Sequence, residues 1–311
     1  MEARESHSIR DELRLVLVGG VSHPAVFGAS PYHLRLRPQQ MRLTDTQRSS
    51  TPPDSPPSPS TFKLVELPIA ITDYERTLDW IDEAIAVGAR EYVCVTPVHL
   101  LMAAYEDPEV RIAVGKAGLI VPDGQPLVWA LRALGASAAS RVYGPDLMIA
   151  ACQRAVKTGA RMYLYGGRND GALVQLTLNL RRRFPGLNIV GGYSPPYRAL
   201  ELYEEESVAA EINASGADIV WVGTGQPKQE LWMANMRSRL DAQVLIGVGA
   251  AFDFHAGLVA QAPRQLQEVG LEWAWRLARE PRRLWRRYLR YNPWFVFLFT
   301  RQWLEQRRNG G

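Results

Sequence analysis

From Phe62 onward, short apolar runs alternate with longer segments of helical periodicity. No other feature of the chain limits its fold as tightly. The runs are "KLVELP", "EYVCVTP", "GLIVPDG", "RMYLYGG", "NIVGGYS", "ADIVWVGTG" and "QVLIGVGA". Between most of them lie helical patterns such as "YERTLDWIDEAIAVG", "GPDLMIAACQRAVKTG" and "DGALVQLTLNLRRRFPG". Apolar runs with helices on both sides imply a parallel sheet covered on both faces. The expected class is α/β, a Rossmann-like parallel sheet flanked by helices. It forms one core over residues 62–270, followed by a basic, aromatic helical appendage over 271–311.

Residues 1–61 read differently. "LRLVLVGG" has the pattern of a short strand, but "TDTQRSSTPPDSPPSPST" holds too little apolar surface to bury. A disordered or loosely attached extension is expected. A start assigned too far upstream would give the same picture, with Met41 as one candidate start. Two cysteines, Cys94 and Cys152, make no disulfide framework, so a reducing, cytoplasmic setting is expected. No apolar run reaches the ~18 residues a membrane span needs.

The net charge of +4 hides an asymmetry. From Arg276 to the end there are ten arginines, no lysine and two acids, a net +8, which leaves the remainder at −4. Arg276, Arg279, Arg283, Arg286 and Arg290 recur every three or four residues and share one face if the helices run on continuously. Pro281 is expected to open a helix at its first position. Beyond the arginines, "NPWFVFLF" is too short to cross a bilayer but suits its interface.

In an open parallel sheet, ligands bind beyond the carboxyl ends of the strands. Those ends carry Thr96 to His99, Asp123-Gly124-Gln125, "GGRN", "TGQPKQE" and Ala251 to Asp253. Asp123 follows a buried run, where burial lifts a carboxylate toward the general-base range; a turn aspartate is the alternative. Asp253 binds a ligand or caps a turn. His99 is a base or a structural residue of a first helical turn. "GGRNDG" cradles a phosphate or makes a capped strand-to-helix turn. No HExxH, paired CxxC, GxSxG or GKS/GKT motif is present, and no DxD pair to hold a divalent ion. A diphosphate leaving group would therefore draw its counter-charge from the arginines, whose forks match phosphate oxygens.

Six ordered stretches, "LIVPDGQPLV", "SRVYGPDLM", "YLYGG", "VGTGQPKQELW", "IGVGAAFDFHAG" and "APRQLQEVGLEWAWRLAREPRRLWRRYL", resemble the WecG/TagA/CpsF family, glycosyltransferase family 26. The resemblance spans about residues 62–292. It implies metal-free, cofactor-free, inverting transfer of a sugar from a UDP-sugar to an undecaprenyl-diphosphate-linked acceptor. That chemistry serves exopolysaccharide, common-antigen or teichoic-acid synthesis at the cytoplasmic face of the inner membrane. By the same resemblance Asp123 is the general base and Arg141 lines its pocket. Gln229 contacts donor or acceptor, and Thr96 belongs to a Thr-x-Asn loop whose Asn position is Val98 here. Arg276, Arg283 and Arg286 match arginines implied to close over the site. Asp253 is counted among the substrate-binding candidates from its place at a strand end.

Three other readings compete with this one. A nicotinamide oxidoreductase lacks its glycine fingerprint, and a nucleic-acid binder is disfavoured by the acidic body, so no nucleic-acid partner is expected. An inactive scaffold subunit of a polysaccharide assembly complex is the remaining alternative. Which sugar is moved, and whether the protein is a homo-oligomer, are not legible from the sequence.

Overall fold

The first apolar run departs from expectation. "KLVELP" turns at Val65–Glu66 and makes an antiparallel hairpin of β1 (Thr61–Leu64) and β2 (Leu67–Ala70), outside the main sheet. In the computed structural model, which describes residues 56, 57 and 59–309, the other six runs pair as one parallel sheet. They are β3 (Glu91–Thr96), β4 (Leu119–Pro122), β5 (Met162–Gly166), β6 (Ile189–Tyr193), β7 (Ile219–Gly223) and β8 (Val244–Gly247). The expectations for residues before 56, including the "LRLVLVGG" strand and the Met41 start, lie outside the described residues.

Alternation along each strand splits the core in two. Val93, Val95, Leu164, Trp221 and Ile246 pack under α1 (Tyr74–Ala86), and Tyr92, Cys94, Tyr163, Val220 and Leu245 point to the opposite face under α2 (Val98–Glu106) and α3 (Pro108–Gly115). Behind α3 come α4 (Gln125–Ala133), α5 (Gly144–Thr158), α6 (Asp170–Arg183), α7 (Leu202–Ser215) and α8 (Lys228–Met236). Of these, α5 and α6 join α1, and α4, α7 and α8 join α2 and α3. The helices start where the local chemistry stops a strand. Asp73 accepts from the Arg76 N–H at 2.9 Å to open α1, and Asn169 accepts from the Ala172 N–H at 2.9 Å to open α6.

Strand order is β4-β3-β8-β7-β5-β6. The chain runs outward from β3 to β4 at one edge and from β5 to β6 at the other, and β7 and β8 then fill the middle. That reversal opens a crevice over the carboxyl ends of the central strands.

Past the sheet the chain is helical: α9 (Ala251–His255), α10 (Arg264–Glu268), α11 (Glu272–Arg279) and α12 (Pro281–Asn309). Pro281 opens α12 as expected. Glu280 breaks the path with φ −130° and ψ 55°, so the helical phase restarts and the arginine stripe expected on one face is cut. The tail does not hang free. Leu284, Phe295 and Leu298 are buried, with Phe295 and Leu298 in the core beside α2. The Gln302 amide clasps the hairpin, accepting from the Val65 N–H at 2.9 Å and donating to the Lys63 carbonyl at 2.7 Å. Half of the aromatic patch is thus core, and Trp294, Val296 and Phe297 stay exposed.

Candidate functional site

A cavity of about 820 Å3 occupies the crevice. Asp123 reaches it because β4 ends at Pro122 and the next N–H donates to the Thr96 carbonyl at 2.9 Å, stitching the ends of β3 and β4 together. The Asp123 carboxylate accepts from the Gly144 N–H at 3.2 Å, at the start of α5. Arg141 Nε donates to the Asp123 carbonyl at 2.5 Å, and its far end donates to the Glu272 carboxylate on α11. Tyr143 donates to the other Glu272 oxygen at 2.8 Å and lies under the Arg141 guanidinium, 4.1 Å from the ring centre. Glu272 therefore ties the C-terminal helices to the floor of the cavity.

Burial pushes the Asp123 carboxyl up to about 6. Arg141 opposes the shift, Glu272 adds to it, and the Gly144 N–H and Arg276 pull it back down. A carboxyl poised there is ionised at neutral pH yet basic enough to take a proton.

The structure separates the expected site residues. Arg141, Asp253 and Arg276 line the cavity with Asp123. Asp253 receives both arms of Arg168, at 3.0 and 3.1 Å, and Arg276 lies over the Phe254 ring at 6.0 Å. Thr96 is fully buried behind the cavity wall, its hydroxyl donating to the Cys94 carbonyl at 3.2 Å, and it serves Asp123 through its backbone. Gln229 is fully buried too, donating to Glu230 at 2.8 Å. It sits in the first turn of α8 and points inward, and Gln226, in the loop before it, lines the cavity instead. Arg286 lies exposed over Trp285 at 5.3 Å, and its neighbour Arg287 lines the cavity. The Arg283 side chain lies outside the described residues.

Within "GGRNDG" the two readings divide between residues. Asn169 caps α6, whereas Gly167 and Arg168 face the cavity. Gly166, at φ +138°, leaves no room for a side chain, because a Cβ there would lie 2.6 Å from the Gly223 carbonyl carbon. His99 also lines the cavity. Burial drives its pKa down to about 3, and Arg287 and Arg276 press it the same way against a Gln226 hydrogen bond. On the far wall Tyr165 stacks on Trp232 at 3.9 Å between centroids, and Tyr197 stands 87% exposed at the rim.

Gln226, Arg287, Tyr143 and Glu272 were missed in the sequence. Gln226 had a usable signal, since it precedes Pro227 and the helix that opens at Lys228, and so stays in the loop at the strand's carboxyl end. Arg287 had none until the break at Glu280 reset the helical phase.

Among the described residues, no helix is long and apolar enough to cross a membrane. The cavity pairs a raised carboxyl with a cationic wall, and it belongs to a chain whose residues 62–309 match the model of the Glycosyl transferase WecG/TagA/CpsF family. Since the match takes in the whole sheet and both C-terminal helices, the chain belongs to that family of glycosyltransferases, enzymes of cell-envelope polysaccharide synthesis.

Proposed function

We propose that the protein moves a sugar from a UDP-sugar to an undecaprenyl-diphosphate-linked acceptor, with inversion and without a metal ion. The observation carrying this reading is Asp123, raised to about 6, in one cavity with Arg276 and Arg287. In the step, the acceptor hydroxyl oxygen bonds to the anomeric carbon while the bond from that carbon to the UDP oxygen breaks. The hydroxyl proton passes to the Asp123 carboxylate. UDP leaves with its new negative charge on the side of Arg276, Arg287 and Arg168, which supply what a divalent cation would otherwise supply. Direct displacement from the face opposite the leaving group inverts the anomeric centre. Ring faces at Tyr165, Trp232 and Tyr197 suit the base and sugar.

The lipid carrier places the reaction at a membrane surface, here the cytoplasmic face of the inner membrane. Exposed Trp294 and Phe297, with Arg301 and Arg307 further along α12, fit such a surface. Each basic residue near an anionic bilayer contributes about 1 kcal/mol, and interfacial aromatics anchor at headgroup depth.

The test is UDP release from UDP-Glc, UDP-ManNAc, UDP-ManNAcA and UDP-GlcA, each with lipid-diphosphate-linked sugar acceptors on liposomes, with and without EDTA. One donor should yield acceptor-dependent UDP that EDTA does not suppress. Silence with every donor, or full activity in Asp123→Asn, refutes the reading. For docking, Trp294→Glu with Phe297→Glu should lower co-sedimentation with anionic liposomes.

A further inference from the structure

We propose that Glu272 is a positioning residue for the transfer step: its carboxylate, carried on α11, holds the stretch 141–144 in the arrangement that presents the Asp123 carboxylate to the acceptor hydroxyl. The inference rests on the glycosyl-transfer reading above and names the residue that sets its base.

Asp123 lies one residue past the end of β4, and four consecutive residues far along the chain bracket it. The Val142 N–H donates to the Pro122 carbonyl at 2.8 Å, and Arg141 Nε donates to the Asp123 carbonyl at 2.5 Å. The Gly144 N–H donates to the Asp123 carboxylate at 3.2 Å. Residues 141–143 belong to no helix or strand, so this stretch depends on its side chains to stay in place. Glu272 takes both of the polar ones. One of its oxygens accepts from the Tyr143 hydroxyl at 2.8 Å, and the other accepts from Arg141 Nη2. The Arg141 guanidinium lies over the Tyr143 ring at 4.1 Å, so the two donors stand side by side and one carboxylate spans them. The Arg141 and Glu272 side chains are only 15% and 13% exposed, which leaves water little access to replace the contact.

No neutral side chain of the same shape does this equally well. A carboxamide has a single acceptor oxygen for the two donors, and its N–H2 would turn toward one of them. Charge adds to the geometry. Arg141 bears on Asp123 and Glu272 together, so removing the second negative charge leaves its field acting on Asp123 alone and makes a weaker base. The groups facing Asp123 are Arg141 and Tyr143 from the stretch itself, Glu272 and Arg276 from α11, and Tyr74 from α1. Asp146 of α5 faces Arg141 and Glu272.

The experiment uses the full chain labelled with carboxyl-13C aspartate. Its probes are UDP and the UDP-sugar and acceptor selected by the donor screen. In Glu272→Gln the Asp123 titration midpoint and the acid limb of kcat/KM should both move to lower pH, by about half a unit or more. At about pH 8 kcat should fall at least tenfold, while KM for the donor and the calorimetric affinity for UDP change less than about threefold. Tyr143→Phe keeps every charge and should lower kcat several-fold with the limb in place. The double variant should lose less than the product of the two single losses, because both act on one contact. An unmoved midpoint and limb, a kcat within about twofold of wild type, or UDP weakened as much as kcat falls overturns the proposal. The last result would mean that Glu272 only seats α11. The titration needs no turnover, and Tyr143→Phe removes a single hydroxyl, so a poorly folded Glu272→Gln does not shield the idea. Failure of the wild type to release UDP from any donor is a separate outcome: it removes the glycosyl-transfer reading, and this inference with it.

Discussion

Asp123 is asked to be both buried and charged. At the residue scale this conflict gives two measurable effects of opposite sense. Its folded pKa is raised to about 6 from an ordinary 3.8, so the proton is held longer in the folded chain. Stability from that proton is present below the ordinary value and is lost as pH rises through about 6. On the proposed mechanism activity runs the other way, because Asp123 must be free to take the acceptor's proton. The rate constant kcat/KM should fall about tenfold per pH unit below pH 6, as a pH–rate profile would record. Asp123→Asn should lower kcat at least ~100-fold, yet its urea stability relative to wild type should increase from pH 5 to pH 8. The Gln226 and Gln229 pair shows what a sequence conceals at this scale. Both follow one apolar run, and only the point where α8 begins decides that Gln229 turns inward and Gln226 faces the ligand space.

Among the elements, α12 has a structural and a chemical task on one cylinder. Its buried Phe295 and Leu298 hold it against α2, and Arg287 thereby reaches the cavity. Phe295→Ala should cost about 3 kcal/mol of docking. Hydrogen exchange along α12 should rise while β3 and β8 stay protected, and KM for the donor should rise more than kcat falls. The hairpin of β1 and β2 carries the opposite kind of defect. Val65 opens its two-residue turn at φ +58°, a region that branched side chains resist. Val65→Gly should raise thermal stability by about 1 kcal/mol. The helices and the parallel strands were legible because their periodicities are long and clean. The hairpin was not, because "KLVELP" has no glycine or asparagine to mark its turn. The arginine face failed for a similar reason: a single residue, Glu280, leaves the helical path, and nothing in the spacing of the arginines announces it.

Across the whole molecule, buried ionisable groups of opposite type offset one another. Burial raises Glu230 to about 7 from 4.5, so the stability it lends is lost as pH rises through about 7. His99 is depressed to about 3 from 6.5, so the stability it lends is present above 6.5 and is lost as pH falls toward 3. Between pH 5 and 8 these two slopes oppose and nearly cancel, so the fall expected from Asp123 is what the wild type should show. Single variants should uncover them. From pH 5 to 8, Glu230→Gln should gain on the wild type by about 2 kcal/mol, and His99→Phe should lose by a similar amount, both read from urea unfolding. The parallel sheet and the placing of the site at its strands' carboxyl ends followed from the alternation of runs and helices, since parallel strands need crossovers and crossovers fix where the carboxyl ends gather. The pairing of Glu272 with Arg141 was beyond reach, because 131 residues separate its partners.

The Gln302 clasp has a further consequence in time. Val65 and its partner are 237 residues apart, so a growing chain makes the hairpin early and its holder late. At about 5–20 residues per second the wait is about 10–50 s. Arg276 and Arg287 emerge within the same final stretch as the clasp. A nascent chain on the ribosome therefore has an open hairpin and lacks both of these arginines, and it gains its closing helix and the last cations of its cavity almost together.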